Sequence, residues 1–256
     1  MLNRIVSICL TCFVCLMTSA LAAKDTDYRF VFEAYYSGFK IGEAAGRLQW
    51  SNDRYALDLS ARTAGVLGWV MSIDQQASSN GHIDTLPTAE WHRNHNADGD
   101  NRNWIELAFT ADDIQIVDAH PHPETETRSP VPADMKRGAL DPLSAVLALG
   151  VTVTEAGQCS GTVPVFDGRR RYDTVLDHVA REPYTGPAGP KDTLRCNFHF
   201  VRLGGYRPDA KRWKGISGTA WLQQVADGLP MLPVRVEVET SYGKAFVHMV
   251  SASPAP

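Results

Sequence analysis

Side chains that alternate between apolar and polar, in one stretch after another, leave this chain few ways to fold. Tyr55, Leu57, Leu59 and Ala61 fall on one side of an extended backbone, with Ala56, Asp58, Ser60 and Arg62 on the other. Successive side chains of a strand point to opposite faces, so a period of two marks a strand with one packed and one wetted face. Phe30, Phe32 and Ala34 repeat the pattern against Arg29 and Glu33, as do Leu194, Cys196, Phe198 and Phe200 against Arg195, Asn197 and His199. Shorter runs of the same kind cover 104–109, 113–117, 162–166, 171–176, 218–224, 234–238 and 245–249. The stretch YYSGFKIGEAAGRLQW, 35–50, reads as a turn near Ser37-Gly38 and a returning strand. Gly42 and Gly46 within it suit the bends or bulge of a strongly curved sheet.

One helix breaks the pattern. DPLSAVLALG, 141–150, offers Asp141 as N-cap, Pro142 at the first helical position and Gly150 as the stop. Two turns are marginal alone, so this helix must be held by packing, as a plug at an opening of the sheet. The unbroken apolar run 64–73 suits a buried strand or a short helix equally. The proline-bearing stretches 120–132 and 181–193 read as exposed connectors, and neither divides two independently patterned halves. A single domain over 23–256 follows.

The N-terminus supplies the address. Arg4, an apolar run from Ile5 to Met17 and the small residues Ser19 to Ala23 have the layout of a secretory signal peptide over 1–22. The run is too short for a permanent membrane helix, which needs about 20 apolar residues. Cys9, Cys12 and Cys15 would leave with the leader. Of the five cysteines only Cys159 and Cys196 would remain. In an oxidising compartment an even pair most simply forms one disulfide; two free thiols or a shared metal are the alternatives. The formal charge of −4 is mildly acidic and gives no general invitation to nucleic acid.

VFDGRRRYDT, 165–174, sets three arginines between two aromatic residues. Asp167-Gly168 is a strong turn signal, and Tyr172, Thr174 and Leu176 can resume a core-facing row with Arg171 and Asp173 outside. The bland reading pairs Arg171 with an acidic neighbour across the strand and leaves Arg169 and Arg170 in solvent. The functional reading sets two arginines at a cavity rim, where guanidinium forks receive a carboxylate or phosphate. Arg169, Arg170, Arg171, Tyr172 and Trp213 are the candidate ligand residues. Trp213 lies in RPDAKRWKG, 207–215, whose bases and aromatic could hold single-stranded nucleic acid, though export and acidity argue for a surface turn.

Other chemistry is weak. His92 and His95 have H-x-x-H spacing and His120 and His122 H-x-H, but both pairs read as exposed loop histidines rather than zinc ligands. Asp98-Gly99-Asp100 lacks the full acidic loop of a calcium site. Ser144 has no G-x-S-x-G elbow, and Ser217 no identifiable base. Glu237 and Glu239 alternate with valines as the wet face of a strand. No metal, cofactor or catalytic residue is expected.

The stretches at 35–50, DPLSAVLAL, VFDGRRRYD and the closing PVRVEVETSYGKAFVHMVS together resemble the bacterial exported family known as domain of unknown function 3108. They are also similar in general design to disulfide-bearing β-spiral envelope-integrity proteins. The resemblance implies an all-β periplasmic protein, with one curled antiparallel sheet forming an open barrel or β-spiral and a short helix packed at an opening. It also implies that Cys159 and Cys196 match the bridge of those proteins. The expected function is non-enzymatic support of the cell envelope, by binding a lipid-like or glycan ligand, or a periplasmic protein, on a concave β surface. The alternative is a structural or protein-interaction factor with a filled core; a hydrolase is a distant third.

Overall fold

The computed structural model describes residues 25–64, 73–99, 101–187, 189–208, 216–240 and 243–256. The leader, most of the apolar run 64–73 and Trp213 lie outside the described residues. The alternating runs all form strands, and two strands that they did not mark, at 73–83 and 87–98, bring the number among the described residues to thirteen. The first seven are β1 (Thr26–Tyr36), β2 (Phe39–Trp50), β3 (Arg54–Thr63), β4 (Ile73–Ile83), β5 (Pro87–Asp98), β6 (Asn101–Phe109) and β7 (Ile114–His120). After two helices, α1 (Ala133–Lys136) and α2 (Pro142–Ala156), come β8 (Ser160–Phe166), β9 (Arg171–Gly186), β10 (Gly189–Gly204), β11 (Ser217–Gln223), β12 (Leu232–Thr240) and β13 (Gly243–Pro254).

All thirteen belong to one sheet, in the order β7-β6-β5-β4-β3-β2-β1-β13-β12-β11-β10-β9-β8, with antiparallel neighbours throughout. The chain therefore makes two meanders. They are joined mid-sheet where β1 pairs with β13, Tyr28 opposite Pro254 and Tyr36 opposite Ala245. The sheet is an open barrel: among the described residues β7 and β8 end it without pairing to each other. Leu140 occupies the outer edge of β8 instead, donating from its N–H to Pro164 O at 2.9 Å and accepting from Phe166 N at 2.8 Å. The two ends still meet through side chains, because Phe166 packs with Ile105, Leu107 and Ile114 of the far edge.

Helix α2 lies inside the curl. Ala145, Ala148, Leu149 and Val153 join a core with Val163, Val165, Leu176, Leu194 and Cys196. Leu147 joins a second core with Phe30, Leu48, Tyr55, Leu229 and Val234. The helix runs about two turns past the expected stop and ends at Gly157, whose φ of 64° supplies the left-handed cap. Gly150 is needed for contact instead: a Cβ there would sit 2.3 Å from Met231 O. Fifteen residues of helix thus fill much of the interior, where a two-turn plug was expected.

The stretch 181–193 is also a correction, since it is a hairpin and not a connector. Its prolines are tolerated because β8 pairs with β9 only as far as Asp177, and β11 with β10 only from Leu194. Pro183 and Pro190 therefore sit where the hairpin has no outer neighbour, and their missing N–H groups cost no bond to a third strand. Cys159, just before β8, is bonded to Cys196 in β10 with Cα atoms 5.6 Å apart. Both are buried in the core against α2.

Candidate anion site at the barrel seam

The loop from Asp167 to Arg170 joins β8 to β9. Asp167 closes it, accepting from the backbone N–H of Arg169 at 2.9 Å and of Arg170 at 2.6 Å. Gly168 takes φ 88°, and a Cβ on it would lie 2.3 Å from Cγ1 of Ile105. Only glycine meets both demands. The turn thereby presses on β6, at the opposite end of the sheet.

Arg169 fastens that contact. Its Nη2 donates to the carbonyls of Pro121 at 2.8 Å, His120 at 3.2 Å and Trp104 at 3.5 Å, and its Nε to Glu126 Oε1 at 2.6 Å. Glu126 also accepts from Arg128 Nε at 2.5 Å and faces Arg207 Nη2 at 3.6 Å. Burial presses the Glu126 carboxyl toward its protonated form; the hydrogen bonds and charges of Arg169 and Arg128 outweigh it and hold the pKa below the usual range. Glu126 lies in the stretch read from sequence as an exposed connector, yet its side chain is only 6% exposed. That part of the connector is a strap tying the two edges of the sheet, and Arg169 is its clasp, not a solvated side chain.

Beneath the clasp is a cavity of about 320 Å³, bordered by Asp167, Arg169 and Arg170 of the turn and by Glu126, Arg128 and Arg207. Its floor is Asn94, Asn103 and Ile105. Four arginines against two carboxylates leave a formal excess of two positive charges. Arg169 and Arg128 are committed to structural partners. Arg170 bonds Asp167 at 2.7 Å with half of its side chain exposed, and Arg207 is 53% exposed. Of the three arginines of the turn only Arg170 presents an exposed guanidinium at this cavity; the second comes from Arg207, outside the turn.

Arg171 and Tyr172 are not in that cavity. Arg171 was expected on the outer face; it is 8% exposed and its Nε donates to Met135 O at 2.9 Å. Its acidic partner is Asp173 on its own strand, at 2.6 Å, not a residue across the sheet. The chain between β7 and β8 covers that face, which alternation along β9 could not reveal. Tyr172 packs into the core 4.9 Å from the Phe200 ring, and burial pushes its phenol pKa up. Arg207 and the asparagines complete the site. Their signal in the sequence was the basic stretch from 207 and the Asn-rich stretch 94–103.

The histidine reading needs correction too. His92 lies on β5 and is 1% exposed, whereas His95, an odd number of residues away on the same strand, faces outward and stacks on Trp104. H-x-x-H on a strand cannot converge on one ion. His92 instead joins Ser79 and Asp141, a set that resembles a catalytic triad. Ser79 Oγ at 2.8 Å and Asp141 Oδ1 at 3.1 Å both approach the same imidazole nitrogen, Nδ1. A triad uses opposite nitrogens, so this arrangement cannot relay a proton that way. Asp141 also accepts from the N–H groups of Leu143 and Ser144 and from the Ser144 hydroxyl, which bonds Tyr55 Oη at 2.6 Å. The cluster nails the start of α2 to the barrel wall.

This architecture defines a β-barrel-like protein. A β-barrel-like protein of domain of unknown function DUF1849 from Brucella abortus shares it, with a TM-score of 0.59 at 10% identity over 91% of this chain and 99% of that one. The chain itself belongs to the family described as "Protein of unknown function (DUF3108)", whose model matches residues 31–250. Two further structures match more loosely. A candidate lipoprotein of Parabacteroides distasonis gives a TM-score of 0.33 at 12% identity over 90% of this chain and 96% of its own. A candidate exported protein with a YmcC-like fold from Bacteroides fragilis gives 0.31 at 9% over the same shares. No curated protein matches the sequence. Among the described residues no helix is long and apolar enough to cross a membrane.

Proposed function

We propose that this is a non-enzymatic periplasmic protein that supports the cell envelope by binding an anionic ligand at the barrel seam. The leader and the disulfide support the compartment. The observation that carries the binding role is the cavity under the turn, where Arg170 and Arg207 keep half-exposed guanidinium groups beside a charge excess of two. Guanidinium forks match phosphate and carboxylate oxygens in pairs, and a recessed rim screens them less than open surface does.

The test is calorimetric titration with pyrophosphate at low and moderate salt. Binding should weaken as salt rises, and the double variant Arg170→Ala/Arg207→Ala should lose at least tenfold in affinity while melting within a few degrees of wild type. Equal affinity in the double variant sinks the reading. The filling of much of the interior by α2 favours a second reading, a protein-interaction factor without a small ligand. It predicts no pyrophosphate heat in either protein.

A further inference from the structure

The floor of the cavity carries information that its arginines do not. Along β4, β5 and β6 the inward positions hold Ala77 and Ser79, His92, and Ile105 and Leu107, most of them well buried. Toward the β5–β6 turn the same inward rows change to Gln75, Asn94, Asn96 and Asn103, with Gln75 opposite Asn96 and Asn96 opposite Asn103. Of these, Asn94 and Asn103 line the cavity, Asn96 is half-buried and Gln75 is exposed at the end of its row. Carboxamides in the cavity-lining positions are an anomaly, because inward strand positions are normally apolar.

These amides do not satisfy one another. The one contact is a long 3.5 Å bond from Gln75 Nε2 to Asn94 Oδ1. Asn96 Oδ1 is buried with no partner. Asn94 and Asn103 each offer two N–H donors and a two-lone-pair acceptor, so most of the capacity that borders the cavity stays open to whatever enters. Paired donors and acceptors match adjacent hydroxyl groups, each of which also gives and takes one bond. An acyl chain would leave every one of them stranded. A volume of about 320 Å³ is at the small end of ligand pockets and suits one ring better than a long tail.

We infer that the ligand is a phosphorylated sugar: Arg170 and Arg207 hold the phosphate at the rim, and Asn94 and Asn103 read hydroxyls below it. This rests on the anion site proposed above and narrows it to one chemical class, against an amphiphile whose charge sits on a hydrocarbon.

Three probes separate these cases in the wild-type protein: inorganic phosphate, glucose 1-phosphate and decyl phosphate. Glucose 1-phosphate should bind at least tenfold tighter than either of the others. Asn94→Leu/Asn103→Leu should erase that margin and leave inorganic phosphate affinity unchanged. Decyl phosphate binding as well as or better than the sugar overturns the sugar assignment and leaves the anion site standing, as does a margin that survives the amide substitutions. The wild-type ranking needs no variant to fold. If none of the three binds, or if binding ignores Arg170→Ala/Arg207→Ala, the anion site itself is wrong and the sugar assignment falls with it.

Discussion

Arg169 keeps its guanidinium among one carboxylate and the close carbonyls of His120 and Pro121, while Arg170, the next residue, leaves half of its own in solvent. Identical side chains thus have different expected effects. Arg169→Ala takes one of two close guanidinium partners from Glu126, leaving Arg128, and frees the carbonyls it ties, a loss of about 2 kcal/mol. Arg170→Ala breaks an exposed pair and should stay within about 1 kcal/mol. Urea denaturation of the two variants checks the contrast; equal midpoints refute the clasp. The acid dependence has a definite sign. A carboxyl with a lowered folded pKa contributes stability above its ordinary value, 4.5 for Glu126, and loses it as pH falls through the lowered one. Without Arg169 that loss should begin at higher pH. The turn was legible from Asp167-Gly168 alone, because turn chemistry is local. The partners of the clasp were not, since Glu126 and the carbonyls of Trp104 and His120 come from distant parts of the chain and only the curl of the sheet brings them near.

Helix α2 owes its position to its first residue. Asp141 caps two backbone N–H groups and receives the hydroxyls of Ser79 and Ser144 with no exposure of its own. Asp141→Ala removes the cap and leaves those groups and His92 without their acceptor, which should destabilise the protein by about 3 kcal/mol. Thermal melts and near-ultraviolet dichroism of Tyr55 would show it. A variant as stable as wild type would mean that packing alone holds the helix. The cap was readable from Asp-Pro, and the start of the helix with it; the end was not. Gly150 looks like a stop by itself, and only the approach of Met231 O explains a glycine inside a helix. Strand alternation was legible wherever the inner face was apolar. It failed over both strands between 73 and 98, where Ser79, Gly81, His92, Asn94 and Asn96 share the inward rows with few large apolar residues, because small and polar residues at inward positions imitate a loop.

In the whole molecule the Cys159–Cys196 bridge ties the segment after α2 to β10 across 37 residues. Removing it as Cys159→Ser/Cys196→Ala should lower stability by about 4 kcal/mol through the freed loop of the unfolded chain. Matched unfolding curves for the variant and the oxidised wild type would exclude that contribution. The sheet's open edge is closed by the strap and by side chains, so bridge and clasp hold different parts of one curl. The pairing of β1 with β13 carries a further consequence, for synthesis. Each meander can form from neighbours along the chain, but the join between them waits for the last strand, and contacts of such separation form slowly. A ribosome that has yet to release Pro254 holds two unjoined halves. For the export proposed above, the order in which the strands are made would delay the final shape until the closing strand is available.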